Sequence, residues 1–169
     1  AASINQAPMR RRWHSPMLLW LDYVLNALHC LRSSGRLPPE HLLRHGSKVQ
    51  KEKYLPSIAS GKLRMQSMAV TEPTTGTETT KIKTTAVKRE GRYVVNGQKV
   101  WISRVLHSDL MILLARTTPL NEVKKKTEGL SVFLVDMRAA LGKGLTIRPI
   151  RTMINRATTE VFFDNLEVP

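Results

Sequence analysis

Aromatic residues are scarce, at 5% of 169 positions, so a core built from this chain is mostly aliphatic. Cysteine is scarcer still. The single Cys30 excludes an intrachain disulfide and a cysteine-cluster zinc site, and it fits a reducing compartment. Long hydrophobic runs are missing too. The longest apolar stretch, residues 17–31, is broken by Asp22, Asn26 and His29, and falls short of the about 20 apolar residues that a bilayer span needs. Acid is thin: 13 acidic residues against 27 basic ones leave a formal charge of +14. That excess predicts an anionic partner, such as nucleic acid, a membrane surface or a phosphate-rich cofactor, unless acid elsewhere in a longer chain balances it. The basic residues are dispersed, with Arg10-Arg11-Arg12 and Lys124-Lys125-Lys126 as the only runs. No helical pattern carries a basic stripe with interleaved aromatics, which argues against nucleic acid. No acidic residue precedes Asp22, so the start resembles a mitochondrial presequence, with a plain amphipathic helix as the alternative.

Hydrophobic residues make up 41%, a globular proportion. Residues 1–16 show no period. Leu18, Leu21, Val24, Leu25, Leu28 and Leu31 have helical spacing, and Ser33-Ser34-Gly35 followed by Pro38-Pro39 stops that helix. A short helix is expected from Pro39 to Arg44 or His45. It carries His41 and His45 four apart without the further ligands that a metal needs, so both read as exposed helix-end residues. Ser47 is an N-cap with Gln50 in capping-box position. The helix it opens runs to about Ala59, with Val49, Tyr54, Leu55 and Ile58 on its apolar side, and Pro56 predicts a kink or a split.

After Gly61 the pattern changes. Short β-branched runs at 64–70, 81–88, 92–104, 109–115, 130–135, 145–150 and 160–163 alternate with turn residues. About seven strands at this spacing predict an α+β chain: an antiparallel β-barrel or sandwich over residues 62–169, preceded by a few N-terminal helices within residues 1–61. The segment 117–129, with its three lysines, reads as a solvated mobile loop.

Two stretches carry candidate chemistry. Asn96-Gly97 has the composition of a type I′ hairpin turn, which needs positive φ at both central residues. Such a turn sets Val95 opposite Gln98 and Tyr93 opposite Val100. Tyr93, Val95, Val100 and Ile102 then face the core, while Arg92, Val94, Lys99, Trp101 and Ser103 share the other face. Trp101 on a polar face is covered either by another part of the protein or by a flat ligand that Ser103 hydrogen-bonds. The second stretch, residues 71–80, holds six threonines and one glycine. Its hydroxyls and main-chain N–H groups suit a carbonyl, hydroxyl or phosphate ligand, with a surface turn as an equal reading. It is neither a Walker loop nor a dinucleotide fingerprint, and Glu72 and Glu78 oppose a bare phosphate unless they point away.

The paired segments Met68-Ala69-Val70-Thr71-Glu72-Pro73-x-x-Gly76-Thr77-Glu78 and Val95-Asn96-Gly97-Gln98-Lys99-x-Trp101-Ile102-Ser103 together resemble the acyl-CoA dehydrogenase family. The likeness extends from His45-Gly46 through Tyr54-Leu55-Pro56 to Phe162-Phe163-Asp164-Asn165-Leu166-Glu167-Val168-Pro169. It implies an FAD-dependent oxidoreductase that dehydrogenates acyl-CoA thioesters in fatty-acid metabolism. A base removes the α-proton, the β-hydride passes to the flavin, and an electron-transferring flavoprotein reoxidises it. An acyl-CoA oxidase shares the architecture, and a non-catalytic β-barrel binding module is the rival outside the class. The resemblance implies flavin-lining roles for Met68, Ala69, Val70, Thr71, Gly76, Thr77, Trp101, Ile102 and Ser103, and substrate contact at Thr77. It implies a homo-oligomer without a membrane span, in the mitochondrial matrix of a eukaryote or the cytoplasm of a bacterium. The family's catalytic glutamate lies in a C-terminal helical domain that these residues do not include, so no catalytic residue is assigned here, and the chain alone is expected to be inactive. Thr77-Glu78 stands where the family commonly has Ser-Asp, and Ser103 stands where many members have Thr. Residues 1–40 do not match.

Overall fold

Strand β4, Leu110–Arg116, sets the architecture, because both of its faces are covered. Leu110 and Ile112 point to one side, where Leu42, Leu55, Ile58 and Met65 pack. Met111, Leu113 and Ala115 point to the other, into a core with Val95, Phe133, Val161 and Leu166. The computed structural model of the protein describes residues 40–154 and 156–169. The expectations for residues 1–39, including the leucine-spaced helix and the presequence-like start, lie outside the described residues.

Two helices cover the first face. The first, α1, is Glu40–His45 and the second, α2, is Lys48–Ala59. Ser47 caps α2 through the expected capping box: its Oγ accepts from Gln50 N at 3.2 Å, and its own N–H donates to Gln50 Oε1 at 3.0 Å. The helix continues through Pro56 without a split, and Ser60 N–H closes it on the Pro56 carbonyl at 3.1 Å. Leu55 and Ile58 are buried as expected, whereas Val49 is 72% exposed, because this helix meets the sheet only through its second half.

The remaining strands are β1 Met65–Ala69, β2 Thr85–Arg89, β3 Arg92–Ser103, β5 Leu130–Asp136, β6 Leu145–Pro149 and β7 Thr158–Val168. A one-turn helix, α3, Met137–Ala140, follows β5 and is capped by the Asp136 carboxylate. The seven strands form one mixed sheet that curls into a half-barrel. β3 pairs antiparallel with β2 and β7, β6 with β7, and β5 with β4. β1 runs parallel to the first half of β4, and β2 meets β4 in parallel at Thr85–Arg116. β1 and β2 thus occupy the same side of β4, one beyond the other, with residues 70–84 between them.

The expected hairpin at Asn96-Gly97 is not there. β3 runs through both residues as a single strand. The turn lies at Glu90-Gly91, where φ is +47° and +81°, and Arg89 pairs with Arg92 across it. Those two positive φ values meet the same steric demand that Asn-Gly signals. Gly97 serves close approach instead: a Cβ built there would lie 2.5 Å from Thr84 Oγ1 and 2.7 Å from Thr84 Cα. Asn96 marks a bulge, and its side chain exchanges hydrogen bonds with Asn165 of β7.

Candidate functional site

The threonine-rich segment leaves β1 and turns at once. Glu72 and Thr75 close a tight turn around Pro73 and Thr74, with N–H to carbonyl distances of 3.0 and 3.1 Å. Proline fits that position, because its fixed φ pre-sets the turn. The turn lies against the second half of β3: Val100 N–H donates to the Thr71 carbonyl at 2.9 Å, and Lys99 Nζ donates to the Val70 carbonyl at 2.9 Å. Further back, Arg104 Nε donates to Gln66 Oε1 at 3.0 Å. Residues 66–72 and 99–104 therefore form adjacent parts of one surface.

Trp101 stands out in this surface. Its φ is +61°, a left-handed conformation that costs a bulky residue energy, and the residue is 60% exposed. A bulge explains the geometry. Lys99 pairs with Val161 and Ile102 with Thr159, so Val100 and Trp101 together oppose only Glu160. Ser103 is exposed on the same strand, as expected beside Trp101. Met68, Val70 and Thr71 are half-buried, and Gly76 and Thr77 are exposed beyond the turn. The Ala69 and Ile102 side chains are buried in the core, which leaves them main-chain groups to offer a ligand. The Ile102 carbonyl already accepts from Thr159 Oγ1 at 2.9 Å.

Lys99 departs from the expected face. It is fully buried, with its ammonium 2.9 Å from Glu72 Oε1. Glu72 also accepts from Thr84 N–H at 2.9 Å and Lys83 N–H at 2.6 Å. The carboxylate and ammonium thus replace ladder hydrogen bonds in the gap between β1 and β2. Burial pushes the Glu72 carboxyl up, but the bonds from Thr84, Lys83 and Lys99 outweigh it and hold the group below its ordinary value. Burial draws Lys99 down, and Glu72 opposes that only in part. Periodicity missed both residues. The available signal was a lone base next to Val100, Trp101 and Ile102 and an acid one residue beyond the apolar run Met68-Ala69-Val70. Glu78, by contrast, is exposed and paired with Lys81 at 2.6 Å.

The 117–129 segment is anchored rather than loose at its base. The buried Arg116 donates to the carbonyls of Thr118, Glu128 and Thr80, which ties this loop to the threonine segment, while Lys124, Lys125 and Lys126 remain exposed. His41 and His45 are exposed, and no group of three or more metal-ligating side chains occurs among the described residues. No helix among the described residues is long and apolar enough to cross a membrane.

The curled sheet thus presents a strained, exposed aromatic beside a hydroxyl-rich turn. Residues 67–166 match the family profile "Acyl-CoA dehydrogenase, middle domain", and the chain belongs to the acyl-CoA dehydrogenase family. It is 36% identical over 128 residues to acyl-CoA dehydrogenase FadE26 of Mycobacterium tuberculosis, covering 76% of this chain and 31% of that protein. The solved acyl-CoA dehydrogenase from Geobacillus kaustophilus superimposes with a TM-score of 0.73 at 32% identity, covering 88% of this chain and 38% of that one. A glutaryl-CoA dehydrogenase from Mycobacterium smegmatis in complex with FADH2 superimposes with a TM-score of 0.64 at 26% identity, covering 77% and 31%. The chain spans about a third of the length of the curated relatives it matches.

Proposed function

We propose that this chain forms the flavin-facing wall of an FAD-dependent acyl-CoA dehydrogenase. The observation that carries this reading is Trp101: a strained, largely exposed aromatic held beside the Thr71 main chain. Strain at an exposed aromatic is a poor choice for stability and a good one for presenting a flat face to a ring. Trp101 would stack along the isoalloxazine, and the main chain of residues 68–71 and the hydroxyls of Thr71 and Ser103 would hydrogen-bond its polar edge. Gly76 and Thr77, exposed beyond the turn, would meet the phosphate region of FAD and the acyl-CoA. When bound, FAD supplies the two-electron acceptor for α,β-dehydrogenation of the thioester. The residues here bind and orient. None of them is assigned as the base, so the 169 residues alone are expected to turn over no acyl-CoA. An electron-transferring flavoprotein as oxidant, a homo-oligomeric assembly, and a matrix or bacterial cytoplasmic location belong to the same proposal.

The test is a graft. Residues 67–166 replace the matching segment of FadE26, and the purified chimera is examined for flavin absorbance and acyl-CoA-dependent dye reduction. A yellow, active chimera is expected. A folded chimera without flavin would overturn the proposal.

A further inference from the structure

We propose that the buried Glu72–Lys99 pair is a positioning device for the ligand wall. It clamps the turn at residues 70–75 to the bulge of β3, so that the Thr71 main chain and the Trp101 ring keep one fixed relation. The flavin reading says what the wall holds; the clamp stands on geometry alone.

Three observations carry it. First, the bulge leaves Val100 and Trp101 with one β7 residue opposite the two of them, so the β7 ladder does not by itself fix them. Their fixed points are Ile102 on one side, held by Thr159 Oγ1, and Lys99 on the other. Second, the Lys99 ammonium bonds both the Val70 carbonyl and Glu72, so one side chain grips the turn at two places. Val100 N–H to the Thr71 carbonyl is the adjacent third link. Third, Glu72 carries the grip onward to the Lys83 and Thr84 N–H groups, and Thr84 packs against Gly97. The result is a closed ring of contacts through residues 70–72, 83–84 and 97–100. A buried ion pair adds little stability over an apolar pair of the same volume, because desolvation offsets the attraction. What it adds is direction: two charged groups bonded to each other and to three further groups, at Val70, Lys83 and Thr84, define one arrangement where apolar side chains would permit several.

The test compares Glu72→Gln, Lys99→Met and the double variant with the unmutated chain. Each single variant leaves a buried partner group unsatisfied and lowers the urea midpoint. The double variant removes the uncompensated charge and regains part of that loss. Amide hydrogen exchange, read residue by residue, then decides. In the double variant the Val100 amide is expected to exchange about tenfold faster or more, while Leu113 in the core keeps its protection. In the FadE26 graft, the double variant is expected to bind FAD about tenfold more weakly. Unchanged protection at Val100 in a folded double variant would overturn the clamp. A double variant as unstable as either single one would overturn it too, since the pair would then support the whole sheet rather than the wall. If the unmutated graft takes up no flavin, the flavin reading fails, and the exchange data still decide the clamp.

Discussion

Gly97→Ala separates the two possible turns of the β3 hairpin. At Gly97 φ is +149°, and a Cβ would meet Thr84 Oγ1 at 2.5 Å, its Cα at 2.7 Å and its Cβ at 2.8 Å. Backbone strain there costs about 1–3 kcal/mol. Overpacking against a neighbouring main chain that cannot rotate away costs about 1–3 kcal/mol more. At Gly91 φ is +81°, with no atom within 4 Å of the added carbon, so Ala meets only left-handed strain, about 1–2 kcal/mol. The expected losses are therefore about 2–6 kcal/mol for Gly97→Ala and about 1–2 kcal/mol for Gly91→Ala. Urea unfolding followed by far-UV circular dichroism reads both; at a slope of about 1.5 kcal/mol/M, 3 kcal/mol moves the midpoint by about 2 M. Adding Thr84→Ala to Gly97→Ala removes the hydroxyl contact but leaves the Cα one, so recovery should be partial. If Gly97→Ala proves no worse than Gly91→Ala, the close approach of β3 to Thr84 is wrong. Asn96-Gly97 would then be a turn after all.

Trp101→Ala should cost little stability, because 60% of the residue is already exposed; flavin affinity in the graft should fall by about 1–3 kcal/mol, the size of one lost aromatic stack. A fall in stability with affinity intact would refute the face assigned to it. Leu113→Ala should do the reverse, lowering stability by about 2–5 kcal/mol from a fully buried site, with flavin contacts untouched. The pH profile follows chiefly from the two buried carboxyls held low. Burial pushes Glu72 and Asp109 up, but the Thr84, Lys83 and Lys99 bonds on Glu72, and the Arg64 N–H and the Arg138 guanidinium on Asp109, more than reverse it. Both ionise more readily folded than unfolded, so their contribution is present above the ordinary values of 4.5 and 3.8 and is lost as pH falls through the folded ones. A urea midpoint that rises on acidification below those values would contradict this.

Local signals gave the elements whose partners are also local. The capping box at Ser47 and Gln50 needs only its own first turn, and it formed. The short run at 109–115 placed β4, and its apolar stretch is unbroken because both faces of the strand are buried. The turn was not legible in this way. Asn96-Gly97 has the composition that positive φ favours, yet Glu90-Gly91 is the pair that adopts it, and the choice between them rests on β7, whose residues 158–168 pair along β3 from Tyr93 to Ser103. That pairing spans some seventy positions of sequence and leaves no mark on the dipeptide. Pro56 is similar: a helix-breaking residue remains in α2 because Leu55 and Ile58 on either side are buried against Leu110 and Ile112.

The bulge accounts for what the sequence placed well and badly in the site itself. Strict alternation along β3 puts Lys99, Trp101 and Ser103 on one face, and two of the three are exposed as it predicts. The two-for-one register at Val100 and Trp101 changes the sense of the strand between Lys99 and Trp101. It sends the lysine inward to Glu72 and leaves the indole outward. A regular strand would have to choose between them. With the lysine outside, the turn at residues 70–75 would lose its anchor; with the indole inside, the wall would lose its flat face. The left-handed φ at Trp101 is the local cost of having both, and the paired motifs of the family resemblance, one ending beyond Glu72 and the other crossing Lys99, are the two sides of that single constraint.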